Sequence, residues 1–534
     1  MSDPATGEFA DVDHGVGLLL ISVVAALGGL VVGFVGGGFR WCLLRAEDAR
    51  FSVLRWAHDL GGPGWLVPVV GVALAATIAR LIVRRVPAAA GSGIQDVEAV
   101  WRGDADPPSL SVLPAKFVGG LVGIGSGLAL GREGPTVHMG ATVGAETGRR
   151  LKMSDAEVRL LQTAFGGAGL AVAFNAPLGG ALFVFEEVTR VFRPRLILAT
   201  LISCASSIAV MRIILADAPE FTVGEIATPP GAHLLVYVVF GLLVGCLGAL
   251  YNRLVLGGLR FAERWRRIGA ETQAAIIGAL VGLLLFVDPF LSGDGAPLIQ
   301  RVLDGDLALV TLIGLFAARL AIGPISYAAG TPGGLFAPLL TVGALAGLLF
   351  HELLGSVPGA TDPGAAYAIV GMAAFFAAVV RAPFTGIVLV LELTANTTLI
   401  APLFAASVAA VIAADFLRSE PIYDSLWERV LLRRGAIRSG PRPDDDDGSG
   451  DDGGPGDDGA GEGGPRDPGG PGVAPVVGGV GGPAPSADGS RPGDPASHVS
   501  DGDGSDGGGS DGGDGPDGGG SDGMDGPEPI GESI

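Results

Sequence analysis

Apolar runs recur from Gly15 to Ala414, separated by short polar stretches. They are Gly15–Phe34, Trp65–Ile82, Leu196–Met211, His233–Leu250, Ala274–Val287, Leu309–Ala318, Leu335–Phe350, Ala365–Val380, Pro383–Leu391 and Ile400–Ala414. Several approach the ~20 residues a helix needs to cross the ~30 Å hydrocarbon layer. Others, such as Leu309–Ala318 and Pro383–Leu391, are too short for a simple span. Short apolar segments interrupted by Gly or Pro predict broken or re-entrant helices shielded by protein, because unpaired backbone groups cannot face lipid. Periodicity alone does not separate such runs from buried helices of a soluble core, but their number and continuity favour the bilayer. The first run lacks a preceding basic segment and a small-residue cleavage site, so it reads as a retained helix and not a signal peptide. The pattern predicts an all-α polytopic membrane protein.

Composition splits this picture in two. The 534-residue chain is 49% hydrophobic and 17% charged, with 90 glycines, against roughly 25% charged in ordinary soluble domains. Of the net charge of -21, residues 441–534 carry most, with 22 acidic residues against 3 arginines. The first 440 residues are nearly balanced, with 33 acidic and 31 basic side chains. Four parts follow: an N-terminal segment (1–14), two halves of a transmembrane body (15–215 and 216–430) and an acidic Gly/Asp-rich tail (431–534). The tail holds Asp444–Asp447 and Gly/Asp/Ser/Pro patches with almost nothing apolar, a composition of disorder. Its sign is wrong for nucleic acid. It is compatible with a halophilic host, as are two lysines against 32 arginines, or simply with a high-GC genome. The arginines Arg429, Arg433 and Arg434 directly after the body predict a cytoplasmic tail. Cys42, Cys204 and Cys246 lack ligand spacing and the six histidines form no cluster, so neither a metal site nor a cofactor is expected.

The body repeats itself. Ala176-Pro177-Leu178-Gly179-Gly180 through Glu186 matches Ala382-Pro383-Phe384-Thr385-Gly386 through Glu392 at a constant offset of 206, with Ala, Pro, Gly and Glu in register. Gly131, Pro135, Gly140 and Gly144 match Gly334, Pro338, Gly343 and Gly347 at an offset of 203. Two matches in the same order predict duplicated halves, an architecture that places a substrate site at the repeat interface near the bilayer midplane.

Three glycine-rich segments stand where helices are expected to start: Gly91-Ser92-Gly93-Ile94-Gln95, Gly131-Arg132-Glu133-Gly134-Pro135 and Gly330-Thr331-Pro332-Gly333-Gly334-Leu335-Phe336-Ala337-Pro338. Glycine permits close backbone approach, and Pro is tolerated in a first turn. Buried helix N-termini offer free amides and the positive dipole end, an anion site without a full countercharge. Packing turns are the alternative for any one segment. Glu133 tips the balance, because an intramembrane carboxylate is expensive and points to function. At a helix start it can occupy an anion position itself, then be displaced or protonated. Glu186 and Glu187 end a second apolar run and diverge by about 100° on a helix, so one can face inward; a solvated helix end is the alternative. Tyr423, in Glu420-Pro421-Ile422-Tyr423, is either an interfacial tyrosine or a hydroxyl donor to an anion.

These motifs, in this order and spacing, resemble the CLC family of chloride channels and chloride/proton antiporters over about residues 15–430. The resemblance implies an inverted-topology repeat of broken and tilted helices. It implies that the Ser92 and Tyr423 hydroxyls and the Leu335 and Phe336 amides coordinate a central chloride, with Gly93, Ile94, Arg132 and Gly134 as further parts of the anion-site motifs. Glu133 corresponds to the external gating glutamate, and Glu187 to the internal proton-transfer glutamate, with Glu186 supporting proton access. Family channels usually lack an acid at the position of Glu187, so the resemblance favours exchange of about two chloride ions per proton, in homodimers with a pathway per protomer. A passive, voltage-influenced chloride channel is the alternative within the fold, and a membrane receptor or structural protein the alternative outside it. Gln95 stands where the family most often has Pro, leaving anion preference open; Pro135 argues against the fluoride-exporting branch.

Overall fold

A computed structural model describes residues 17–434 except 266, 292, 306 and 356–361. The N-terminal segment and the acidic tail lie outside the described residues, apart from residues 431–434, which end the last helix. The first half consists of α1 (Leu18–Asp59), α2 (Leu66–Arg85), α3 (Ile94–Trp101), α4 (Val112–Ser126), α5 (Glu133–Arg150), α6 (Asp155–Phe174), α7 (Pro177–Phe183) and α8 (Pro194–Leu215). A single π-helical turn, Val184–Val188, continues α7. The second half consists of α9 (Leu234–Arg264), α10 (Ala270–Val287), α11 (Ala296–Asp304), α12 (Leu309–Ala328), α13 (Phe336–Leu354), α14 (Gly364–Val380), α15 (Pro383–Thr394) and α16 (Ile400–Phe416), followed by α17 (Ile422–Arg434). The fold is all-α: no strand occurs among the described residues, only two isolated β-bridges.

Local chemistry sets several boundaries. Ser154 and Glu157 form a capping box at the start of α6, satisfying two orphan amides reciprocally. Pro177, Pro194 and Pro383 open α7, α8 and α15, where a missing amide hydrogen costs no helix bond. Seven described helices are long and apolar enough to cross a membrane: α1, α2, α8, α9, α10, α12 and α13. The first is 42 residues long, so it continues far past the Phe34 at which its apolar run stops.

Helices α4, α5 and α6 escape the search for apolar runs. Helix α5 carries Glu133, Thr136, His138 and Thr142, all buried, because its surroundings are protein and not lipid. Its glycines explain how. A Cβ on Gly140 would lie 2.2 Å from the Phe165 carbonyl oxygen of α6, and one on Gly144 would lie 2.4 Å from that of Leu161. In the second half, Gly343 and Gly347 of α13 meet Gly371 and Tyr367 of α14 at 2.3 and 2.0 Å by the same measure. The glycines matched at offset 203 are therefore the points where two backbones touch.

The halves repeat in packing as well as in sequence. Helix α1 lies on α8 as α9 lies on α16, and α5 lies on α6 as α13 lies on α14. Matched residues also meet each other. Gly131 and Gly334 form an antiparallel bridge, each amide donating to the other's carbonyl at 2.8 Å. Glu186 accepts from the amides of Phe384 (3.0 Å) and Thr385 (2.6 Å), while Glu392 accepts from Leu178 (3.1 Å) and Gly179 (2.7 Å). Contacts in which i meets j as j meets i are the mark of a two-fold relation, here within one chain.

Candidate functional site

The three glycine-rich segments are tied into one structure by their backbones. The Gly91 amide donates to the Thr331 carbonyl (3.1 Å), the Gly333 amide to the Gly91 carbonyl (3.1 Å), and the Gly131–Gly334 pair completes the set. From this junction α3, α5 and α13 depart. Gly93 is the N-cap of α3 with φ 91°, a left-handed conformation in which a side chain would be strained. Arg132 caps α5 and Leu335 caps α13. Ser92, Ile94, Glu133, Leu335 and Phe336 are fully buried, and Gly134 packs so closely on Ser92 that a Cβ there would stand 2.4 Å from its hydroxyl oxygen.

First-turn amides have no carbonyl within their own helix. At the start of α13 the Ala337 amide donates to Glu133 Oε2 at 3.4 Å, so a carboxylate from one half sits on the helix N-terminus of the other. Glu133 Oε1 has no hydrogen-bond partner, and neither do the buried hydroxyls of Ser92 and Tyr423. Tyr423 is the second residue of α17, wholly buried, and within electrostatic reach of both Glu133 and Glu187. Unpaired buried polar atoms are costly, and three of them fall on sequence-predicted site residues.

Arg132 turns its side chain elsewhere. Its guanidinium donates to the Ala173 carbonyl at 3.0 Å and pairs with Glu220 and, at 3.3 Å, with Asp294. Arg40 binds the same Glu220. What Arg132 offers the motif is thus its main chain and its place at the head of α5. Glu187 lies in the π-turn, 2% exposed, with Oε1 unpartnered. Its neighbour Glu186 points the other way, its two oxygens engaged by the Phe384 and Thr385 amides and by the Thr385 hydroxyl at 2.7 Å. The expected divergence of the two acids is the geometry observed.

Comparison with known proteins decides the family. The family described as voltage gated chloride channel matches residues 75–415. The chain belongs to the CLC family. Relatives include the H(+)/Cl(-) exchange transporters ClcA of Citrobacter koseri and Salmonella arizonae. Each is 36% identical over 78% of this chain and 90% of its own length. Among solved structures, a slow cyanobacterial Cl-/H+ antiporter superposes with TM-score 0.73 at 30% identity, over 78% of this chain and 99% of its own. A eukaryotic CLC transporter (TM-score 0.65, 24% identity, 77% and 74% coverage) and a CLC-type fluoride/proton antiporter (0.63, 21%, 76% and 97%) share the fold. With seven apolar helices of spanning length, this CLC protein is a multi-pass membrane protein.

Sequence reasoning missed several groups that shape this CLC site. Lys116 of α4 is fully buried, and its ammonium donates to three consecutive carbonyls at the start of the first motif, those of Ala90 just before it (3.3 Å), Gly91 (2.7 Å) and Ser92 (2.9 Å). The signal was an ionisable residue amid an apolar stretch, where Val112–Ser126 was not recognised as a helix. Arg319, also buried, holds the turn before Asp294 through the Gly293 (3.0 Å) and Phe290 (2.7 Å) carbonyls. Glu392, the repeat counterpart of Glu186, caps α7. Removing one such cap costs ~1–2 kcal/mol. Thermal unfolding in detergent should therefore show Glu392→Ala and Glu186→Ala both lowered and by similar amounts; a parent-like midpoint for either would contradict the reciprocal capping.

Proposed function

We propose that this CLC protein is a secondary active antiporter that exchanges chloride for protons, about two chloride ions for each proton, and not an enzyme. The observation that carries the reading is the Glu133 carboxylate on the Ala337 amide of α13, an anion-binding helix terminus already held by an anion of the protein's own. Protonation removes that charge and lets chloride take the amides, while deprotonation returns the carboxylate; one side chain then gates chloride and carries the proton.

Ser92, Gly93, Ile94, Gly134, Leu335, Phe336 and Tyr423 are the chloride-facing residues in this reading, with Arg132 contributing through the backbone at the head of α5. Helix-terminal amides and hydroxyls suit a transported anion, because a full countercharge at low dielectric would hold it too tightly to release. Glu187 is the inner proton acceptor, and Glu186 serves access to it by anchoring the π-turn on α15. The named relatives are exchangers, which supports coupling over passive conduction. Every group belongs to one chain, so a homodimer would hold two complete pathways. The arginine cluster Arg429, Arg433 and Arg434 supports a cytoplasmic side for the C-terminal end.

The test uses chloride-loaded proteoliposomes in an outward chloride gradient. The parent is expected to drive protons inward against their gradient, and Glu187→Gln to lose that movement while chloride flux continues. Chloride flux without proton movement in the parent would make the protein a passive channel of the same fold.

A further inference from the structure

A cluster of charges outside the anion site joins the three elements that carry its key groups. Asp424, next to Tyr423 at the start of α17, accepts from Arg102 through Oδ1 (2.9 Å) and from Arg190 through Oδ2 (2.8 Å). Arg102 is the C-cap of α3, the eight-residue helix whose N-terminus is the Ser92-Gly93-Ile94 motif. Its guanidinium also pairs with Glu98, which is fully buried, and lies over the Trp427 ring with 4.7 Å to the centroid. Arg190 follows Glu187 by three residues, just beyond the π-turn, and reaches Glu98 at 3.9 Å. Arg190 has φ 54°, a left-handed conformation that is strained for a non-glycine residue and needs fixed contacts to persist.

We infer that Asp424 is a positioning residue for exchange, locking the Tyr423 helix to the Ser92 helix through Arg102 and to the Glu187 turn through Arg190. The inference rests on the antiport reading and adds a physical link between the chloride and proton branches. A carboxylate bridging two guanidiniums fixes direction as well as distance, since each charge-assisted bond is geometrically demanding. The three elements also touch through Arg190 and Glu98 and through Arg102 and Trp427, but Asp424 is the side chain that holds both guanidiniums at hydrogen-bond distance, one on each oxygen, so its loss loosens both links together. Partial burial opposes charge on Asp424, but the hydrogen bonds and charges of Arg190 and Arg102 more than offset it and hold the carboxyl below its ordinary range. The bridge is therefore intact at neutral pH and is lost only as pH falls through that depressed value.

The experiment measures, on the full chain, the reversal potential of proton flux in proteoliposomes and chloride affinity by titration calorimetry in detergent. Asp424→Asn is expected to raise the chloride-to-proton ratio at least twofold and to weaken chloride binding severalfold, while Asp424→Glu, which keeps the charge, restores the parent's ratio. Arg190→Gln cuts the same bridge from its other end and should shift the reversal potential in the same direction, which keeps the test available should Asp424→Asn fail to fold. A reversal potential and a chloride affinity equal to the parent's in either folded variant, even with slower turnover, would overturn the inference. A parent that moves no protons would instead overturn the antiport reading alone, and chloride affinity in the variants would then decide whether Asp424 positions the anion site.

Discussion

Glu133→Gln is expected to stop proton movement altogether and to leave a chloride flux that no longer responds to pH. The substitution keeps the shape of the side chain and removes its only titrating group. A glutamine carbonyl can still accept from the Ala337 amide now bonded to Glu133 Oε2, but as a neutral group it competes weakly with chloride at a helix N-terminus, where the dipole and free amides favour full negative charge. The gate then stands open to the anion and closed to the proton. Proteoliposomes carrying this variant should show chloride efflux at a rate within an order of magnitude of the parent and no alkaline or acid shift inside. Continued uphill proton uptake would remove Glu133 from the proton path, and loss of both fluxes would reduce it to a structural group.

Lys116→Met is expected to weaken chloride binding by roughly 30-fold, the equivalent of about 2 kcal/mol. A loss of that order is expected when a nearby positive charge is removed at an effective dielectric constant of about 20. The ammonium donates to the Ser92 carbonyl at 2.9 Å, so it lies behind the hydroxyl proposed to face chloride. Methionine preserves volume and length while removing the charge and the donors to Ala90 and Ser92. Calorimetric titration with chloride reads the change directly. An affinity equal to the parent's would mean that the lysine serves only to close the Gly91 turn.

The internal repeat, the glycine-rich starts of α3, α5 and α13, and the burial of Glu133 and Glu187 were legible in the sequence, because each rests on local pattern: a glycine where backbones touch, a proline at a first helical turn, an acid where lipid or protein should exclude one. The offset of 203 between Gly140 and Gly343 was visible as letters, and its cause, the approach of α5 to α6 and of α13 to α14, was not. What stayed hidden depends on residues far apart. Glu186 and Thr385 are 199 positions apart, and Glu392 and Gly179 are 213 apart, so neither acid announces the amides it serves. Hydropathy also misled at α5, which is too polar to look like a span yet is buried along most of its length. Asp424 was passed over beside Tyr423 because its partners lie on two other elements.

The crossed caps carry a consequence for how the protein comes into being. Glu133 waits for Ala337, 204 residues later, and the amides of Leu178 and Gly179 wait for Glu392, which is 214 residues beyond Leu178. During synthesis the start of α7 and the Glu133 carboxylate therefore precede the second-half groups that satisfy them, a condition hydrocarbon penalises by several kcal/mol per group. Local contacts reward early folding, and these distant ones do not. Each half thus completes the other: a chain truncated after α8 would lack the Glu392 carboxylate that caps α7 and the Ala337 amide that meets Glu133.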